Sequence, residues 1–351
     1  MALVLSGTAV AAPSFQQLGN TLVMSNGNVR LEYNLSAGTT DFYWQNGKKL
    51  STFYSGIGFA NGYVKGISYS RGSYALTGSN QVAMTASGAG LPVMKQYFTL
   101  DQPDSILVRV EASGTNLSAN WMGPVVVDAT GGVDLGVTND NRALFVPFDN
   151  DGFCRYNAMP INSSATSHEV AAFYDNVSRN GLVVGSVAHD TWKSGVYFNG
   201  ANNKLNQMNV FGGATSPWDV EPHGYISGDV ISSPTMFVGF GADWRQTMVN
   251  YTAENLGFAP RLPWTNGVPF GWNSWGVIQQ NINYTDVVQV ADFFRTNLET
   301  GGFTNNNTVY INLDSYWNNL GDFQLQGVVN LCHADGQRAG IYFGVSGMIC
   351  G

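Results

Sequence analysis

Apolar and polar positions alternate with period two over most of the chain, from about Phe15 to Phe240. That period puts successive side chains on opposite faces of a strand. Asn28 to Tyr33 follows it, and Asp41 to Gln45 leads into Asn46-Gly47, a hairpin signal. Gln96 to Leu100 and Ser105 to Glu111 repeat it across a Pro-Asp turn, and Gly181 to Gly185 and Gly195 to Phe198 add further strands. No helical period separates them, which excludes a parallel α/β arrangement here. Short strands at such regular spacing predict a large antiparallel β-sandwich.

Near Ala242 the period lengthens. Trp244, Met248 and Tyr251 fall on one face of a helix, Gly257 stops it, and Pro260 and Pro263 make a stiff linker. Beyond Gly267, strand and helix alternate. Asn283 is placed to cap a helix whose third position is Asp286, and Val287, Val290, Ala291, Phe294 and Leu298 line its inner face up to Gly301-Gly302. Leu325, Val328, Val329 and Cys332 form the next stripe, closed by Gly336. A third strand starts at Ala339. This β-α-β-α-β order, at roughly 30 to 40 residues per unit, predicts the first three strands of a (β/α)8 TIM barrel. A doubly wound sheet is the alternative, although no Gly-rich phosphate loop follows any strand. The expected division is 15–241 for the sandwich, 242–266 for helix and linker, and 267–351 for an incomplete barrel.

Composition narrows the partners. The 351 residues are 44% hydrophobic, enough for real cores, but only 11% charged, with 13% aromatic. Neutral polar surfaces with many rings suit carbohydrate, and they equally suit a rigid secreted β protein. A net charge of −8 without a basic run makes nucleic acid a poor partner. No apolar segment approaches the roughly 20 residues that span a bilayer, so no membrane partner is expected. Cys154, Cys332 and Cys350 have no CxxC spacing and the four histidines are scattered, so neither a metal site nor any other cofactor is expected. Residues 1–14 look like the remnant of a signal peptide, with Ala9-Val-Ala11 as the cleavage pattern, which implies a secreted or periplasmic protein.

Candidate chemistry gathers at predicted strand ends. Asp314 follows an apolar strand, where a carboxylate lies either at a barrel mouth or at a costly buried position. Trp272, Trp275 and Trp317 lie at the same ends, at least one of them expected in the site and one in the core. Asp149, Asp151 and Arg155 form either a loop over that site or an ordinary turn with a surface ion pair.

The motifs Gly271-Trp-Asn-Ser-Trp275, Leu313-Asp-x-x-Trp317 and Gly340-Ile-Tyr342 resemble, over the last quarter of the chain, the α-galactosidases of glycoside hydrolase families 27 and 36. The β region more weakly resembles the N-terminal supersandwich of family 36. The resemblance implies a retaining glycoside hydrolase whose nucleophile and acid/base are expected beyond Gly351. It implies that Trp275, Asp314 and Tyr342 line the pocket for a non-reducing α-galactosyl unit, with Trp272, Ser315 and Trp317 beside them. It also implies a disulfide from Cys350 to a cysteine absent from this sequence. The family carries two adjacent acids where this chain has Asp314 and Ser315. A hydroxyl is a weaker acceptor than a carboxylate, so a related α-glycoside or a β-L-arabinopyranoside stays open as substrate. A non-catalytic carbohydrate-binding protein is the alternative function.

Overall fold

A computed structural model describes residues 12–128, 132–136, 140–148, 156–215, 224–265 and 268–342. The chain divides into two compact units, Met1–Pro260 and Arg261–Gly351. In the larger unit the described residues form nineteen strands joined in one antiparallel hydrogen-bonded network. The alternating segments become strands as their period predicts. Val29–Asn34 buries Val29, Leu31 and Tyr33 and turns Arg30 and Glu32 outward.

One 23-residue strand, Ser105–Val127, ties the network together. It pairs in turn with Leu91–Thr99, Met236–Gly241, Ile226–Ser232, Gly47–Phe59 and Lys204–Gly212. Its register slips between Met122 and Val125, where Pro124 has no N–H to give the ladder. It slips again between Ser113 and Leu117, where Asn116 takes φ 51°. Such bulges let a strand bend and change partners, which is how the predicted sandwich becomes one continuous network. The main core draws on strands from Leu22 to Phe240 and includes Phe42, Phe53, Phe98, Phe173 and Phe198. Helix α1 (Trp244–Phe258) packs Tyr251, Trp244 and Met248 against Leu107, Tyr174, Val183 and Phe237. It runs one residue past Gly257. The predicted Asn46-Gly47 turn is displaced by one residue. Gln45 and Asn46 take φ 47° and 64°, and Gly47 already pairs with Trp44.

The smaller unit holds three parallel strands, Gly271–Asn273, Tyr310–Leu313 and Arg338–Ile341, in that order. Helices α2 (Tyr284–Phe293) and α3 (Gly321–Ala334) contribute Val287, Ala291, Val328 and Cys332 to a core with Ile311 and Leu313. Asn283 caps α2 by accepting from the Asp286 N–H. The expected start of a (β/α)8 barrel is not what forms. A barrel is a closed, staggered ring of tilted strands, whereas these strands of three or four residues make an open sheet. The strand–helix period specifies each parallel crossover and carries no instruction to close. The described chain is predominantly antiparallel β-sheet, and its smaller unit carries this short parallel sheet.

Candidate functional site

The second strand of the smaller unit buries Ile311 and Leu313 and then stops at Asp314, which is half-buried. Parallel register sets Asn273 of the first strand beside Asn312, so Asn273 and Asp314 meet at the same end of the sheet. The Asn273 amide Nδ2 donates to Asp314 Oδ2 at 2.8 Å. Its Oδ1 accepts from the Trp275 N–H at 2.9 Å, which fixes the amide's orientation. The Ser315 N–H donates to Asp314 Oδ1 at 2.7 Å. Fully buried Ser274 accepts the Asp314 N–H through its Oγ at 2.9 Å. Each carboxylate oxygen therefore has one fixed donor and a lone pair to spare. Gly271 permits this pairing, because a Cβ there would stand 2.0 Å from the Tyr310 carbonyl oxygen.

The aromatic residues divide. Trp272 and Trp317 pack against the core of the small unit, and the Trp317 indole donates to the Tyr342 carbonyl at 2.8 Å. Trp275 is 42% exposed, its ring 9° from parallel with Tyr316 at 6.3 Å between centroids. Tyr316 holds φ 68°, and Tyr342 is 49% exposed. The structure thus gathers Asp314, Ser315, Trp275 and Trp317 around one strand end, and Tyr342 joins through its backbone. Asn273, Ser274 and Tyr316 were missed by the sequence reading, although Asn273 and Ser274 lie inside the Gly271-to-Trp275 motif. Asp149, Asp151, Arg155, Cys154 and Cys350 lie outside the described residues, and those residues contain no disulfide; Cys332 is buried and free. Among the described residues no group of His, Cys, Asp and Glu could hold a metal, and no helix is long and apolar enough to cross a membrane.

Neutral hydroxyl and amide groups, one carboxylate and exposed rings can hold a polyol. One carboxylate cannot carry out retaining hydrolysis, which needs two carboxyls about 5–5.5 Å apart. The other described carboxylates of this unit, Asp286, Asp292, Glu299, Asp322 and Asp335, sit on helices or at their ends. A cavity of about 430 Å³ between Trp272, Ile278, Val290 and Phe294 leaves Asp314 outside its lining.

Solved structures share this architecture. A β-arabinopyranosidase matches with TM-score 0.61 at 11% identity, over 92% of this chain and 55% of that one. A family 97 glycoside hydrolase from Pseudoalteromonas sp. strain K8, in complex with acarbose, matches with TM-score 0.57 at 13% identity, over 93% and 53%. An α-N-acetylgalactosaminidase from Bifidobacterium bifidum matches with TM-score 0.52 at 8% identity, over 93% and 58%. The fold is glycosidase-like. This chain spans just over half the length of these structures, and at such identities the likeness is one of fold. No family model and no curated protein matches the sequence.

Proposed function

We propose that the chain is part of a retaining glycoside hydrolase that holds the terminal pyranosyl unit of an α-D-galactoside or a β-L-arabinopyranoside. Those two sugars present the same ring stereochemistry and differ in the exocyclic carbon. The observation that carries the proposal is Asp314, pinned through both oxygens beside Asn273 where two parallel strands end. In this reading Asp314 and Asn273 take sugar hydroxyls, Ser315 adds a weaker contact, and Trp275 offers an apolar ring face. Trp272 and Trp317 keep the strand ends in place from the core side, and Tyr342 borders the same strand end through its backbone. The nucleophile and acid/base belong to residues outside those described. Export from the cytoplasm is part of the same proposal, supported by the low content of charged residues, 11% of the chain.

Saturation-transfer NMR on this chain tests the reading, with D-galactose, L-arabinose and D-glucose as probes. Transfer to galactose and arabinose well above glucose, and lost in Asp314→Ala, is the expected result. Equal transfer to all three sugars, or transfer unchanged in Asp314→Ala, overturns it.

A further inference from the structure

The larger unit contains an open groove of about 620 Å³ that the Asp314 site does not use. Its size lies within the roughly 300–1,000 Å³ of small-molecule sites. Three hairpins form it, two near the start of the chain and one distant from them in sequence. Gln17, Asn20, Tyr33, Leu35 and Ser36 face Ser73, Tyr74, Met84 and Thr85. The second group comes from a register that pairs Ser73 with Thr85 and Tyr74 with Met84.

Its chemistry is uniform. None of the described residues that line it is charged. Buried Tyr33 and Met84 and half-buried Tyr74 belong to or pack on the main core, which gives a rigid floor. The rim is amide and hydroxyl. Asn20 Nδ2 donates to Ser36 Oγ at 2.6 Å and faces Asn34 Oδ1 at 3.4 Å. Gln17 Nε2 donates to the Gly19 carbonyl at 3.0 Å. Both amides are thereby turned with a carbonyl oxygen left as acceptor, while the Ser36 hydroxyl, accepting from Asn20, keeps its own proton to donate. Fixed neutral acceptors and donors around an apolar, ring-bearing floor match a sugar, whose hydroxyls need pairing and whose C–H face needs an apolar surface. None of these described groups offers an opposite charge to an ionic ligand.

We propose that this groove binds a short run of a neutral oligosaccharide or polysaccharide. It is a second carbohydrate site, and it stands whether or not the Asp314 reading holds. Affinity electrophoresis of the chain tests it, in native gels containing galactomannan, arabinogalactan or amylopectin, with polygalacturonate as the anionic control. At least one neutral polymer should retard the protein, and polygalacturonate should not. Tyr74→Ala should weaken the retardation about tenfold, the equivalent of one lost ring contact. Measured in an Asp314→Ala background, which removes the other proposed sugar site, Asn20→Ala and Thr85→Ala should each weaken it by a smaller factor. Circular dichroism checks folding; if Tyr74→Ala unfolds, the two rim variants decide. Absence of retardation by every neutral polymer overturns the groove. So does retardation that survives Asn20→Ala and Thr85→Ala, or that disappears only in Asp314→Ala, which would leave the other site as the binder.

Discussion

The two units bury apolar surface by the same physics and differ in where they stop. In the larger unit, strand after strand is closed on a core that runs from Leu22 to Phe240. Its outward residues pair among themselves, as where Arg30 lies over Tyr43 and Arg109 over Tyr97. In the smaller unit the strands are three or four residues long and the core is about one-third as large as that main cluster. Phe323 and Val277 there are 91% and 83% exposed. Polar chemistry begins one residue after burial ends, at Leu313 and Asp314. A long, regular sheet makes a frame, and a short strand ending abruptly makes a place for a polar group held by its neighbours.

That contrast predicts separable stabilities. Phe173 is fully buried and meets Phe198 edge to face at 5.3 Å. Phe173→Ala should cost about 3–5 kcal/mol. Hydrogen-exchange mass spectrometry should register the loss in the strands of the larger unit and leave Tyr310–Leu313 unchanged. Parallel loss in both units would show that they unfold together.

The next effect concerns binding. Asp314→Asn keeps the shape and removes the charge-assisted acceptor, worth about 1.5–3 kcal/mol. Affinity for galactose or arabinose should fall by one to two orders of magnitude with little change in melting temperature. Ser315→Asp should shift preference toward galactose. Unfolding by Asp314→Asn, with binding intact in the folded fraction, would make Asp314 a structural residue. A third test acts on the frame of that site. Gly271→Ala forces a Cβ into the Tyr310 backbone and should cost about 1–3 kcal/mol. The loss should appear as faster exchange confined to the three short strands.

Much of this was legible in the sequence where one signal has one outcome. Period two gave the strands, and Asn283 with Asp286 gave the start of α2, because a cap bond is local. Asp314 stood out because a carboxylate after Ile311-Asn-Leu313 lies either at a site or at a costly buried position, and it is found half-buried with both oxygens hydrogen-bonded. What failed was what depends on distant residues. The turn at Gln45–Asn46 is shifted by a register set across the hairpin. The single network depends on where Ser105–Val127 changes partners, and Tyr316 in a left-handed conformation has no sequence signal of its own. The barrel was an extrapolation from two crossovers, and local periodicity does not encode closure.

The smallest expected effect separates the units by pH. Tyr251 of α1 is buried and its hydroxyl donates to the Ser186 carbonyl at 2.6 Å. Burial first of all pushes its pKa from 10.0 up to about 12. In the smaller unit, burial, and then the charge of Asp335, pushes the Cys332 thiol from 9.0 up to about 11. Both groups are neutral when folded, and both folded values lie above the unfolded ones. Each contribution is therefore fully present below the unfolded pKa and is lost as pH rises through the folded one. The smaller unit should soften between pH 9 and about 11, and the larger between pH 10 and about 12, by about 1–2 kcal/mol each. Tyr251→Phe should lower stability at pH 8 by about 1 kcal/mol through the lost hydrogen bond, yet flatten the alkaline slope of the larger unit alone. Cys332→Ala should flatten that of the smaller. Urea unfolding from pH 8 to 11.5, followed by exchange in each unit, reads both slopes. If the larger unit softens first, or if either variant leaves its slope unchanged, buried neutral groups are not what limits each unit in alkali.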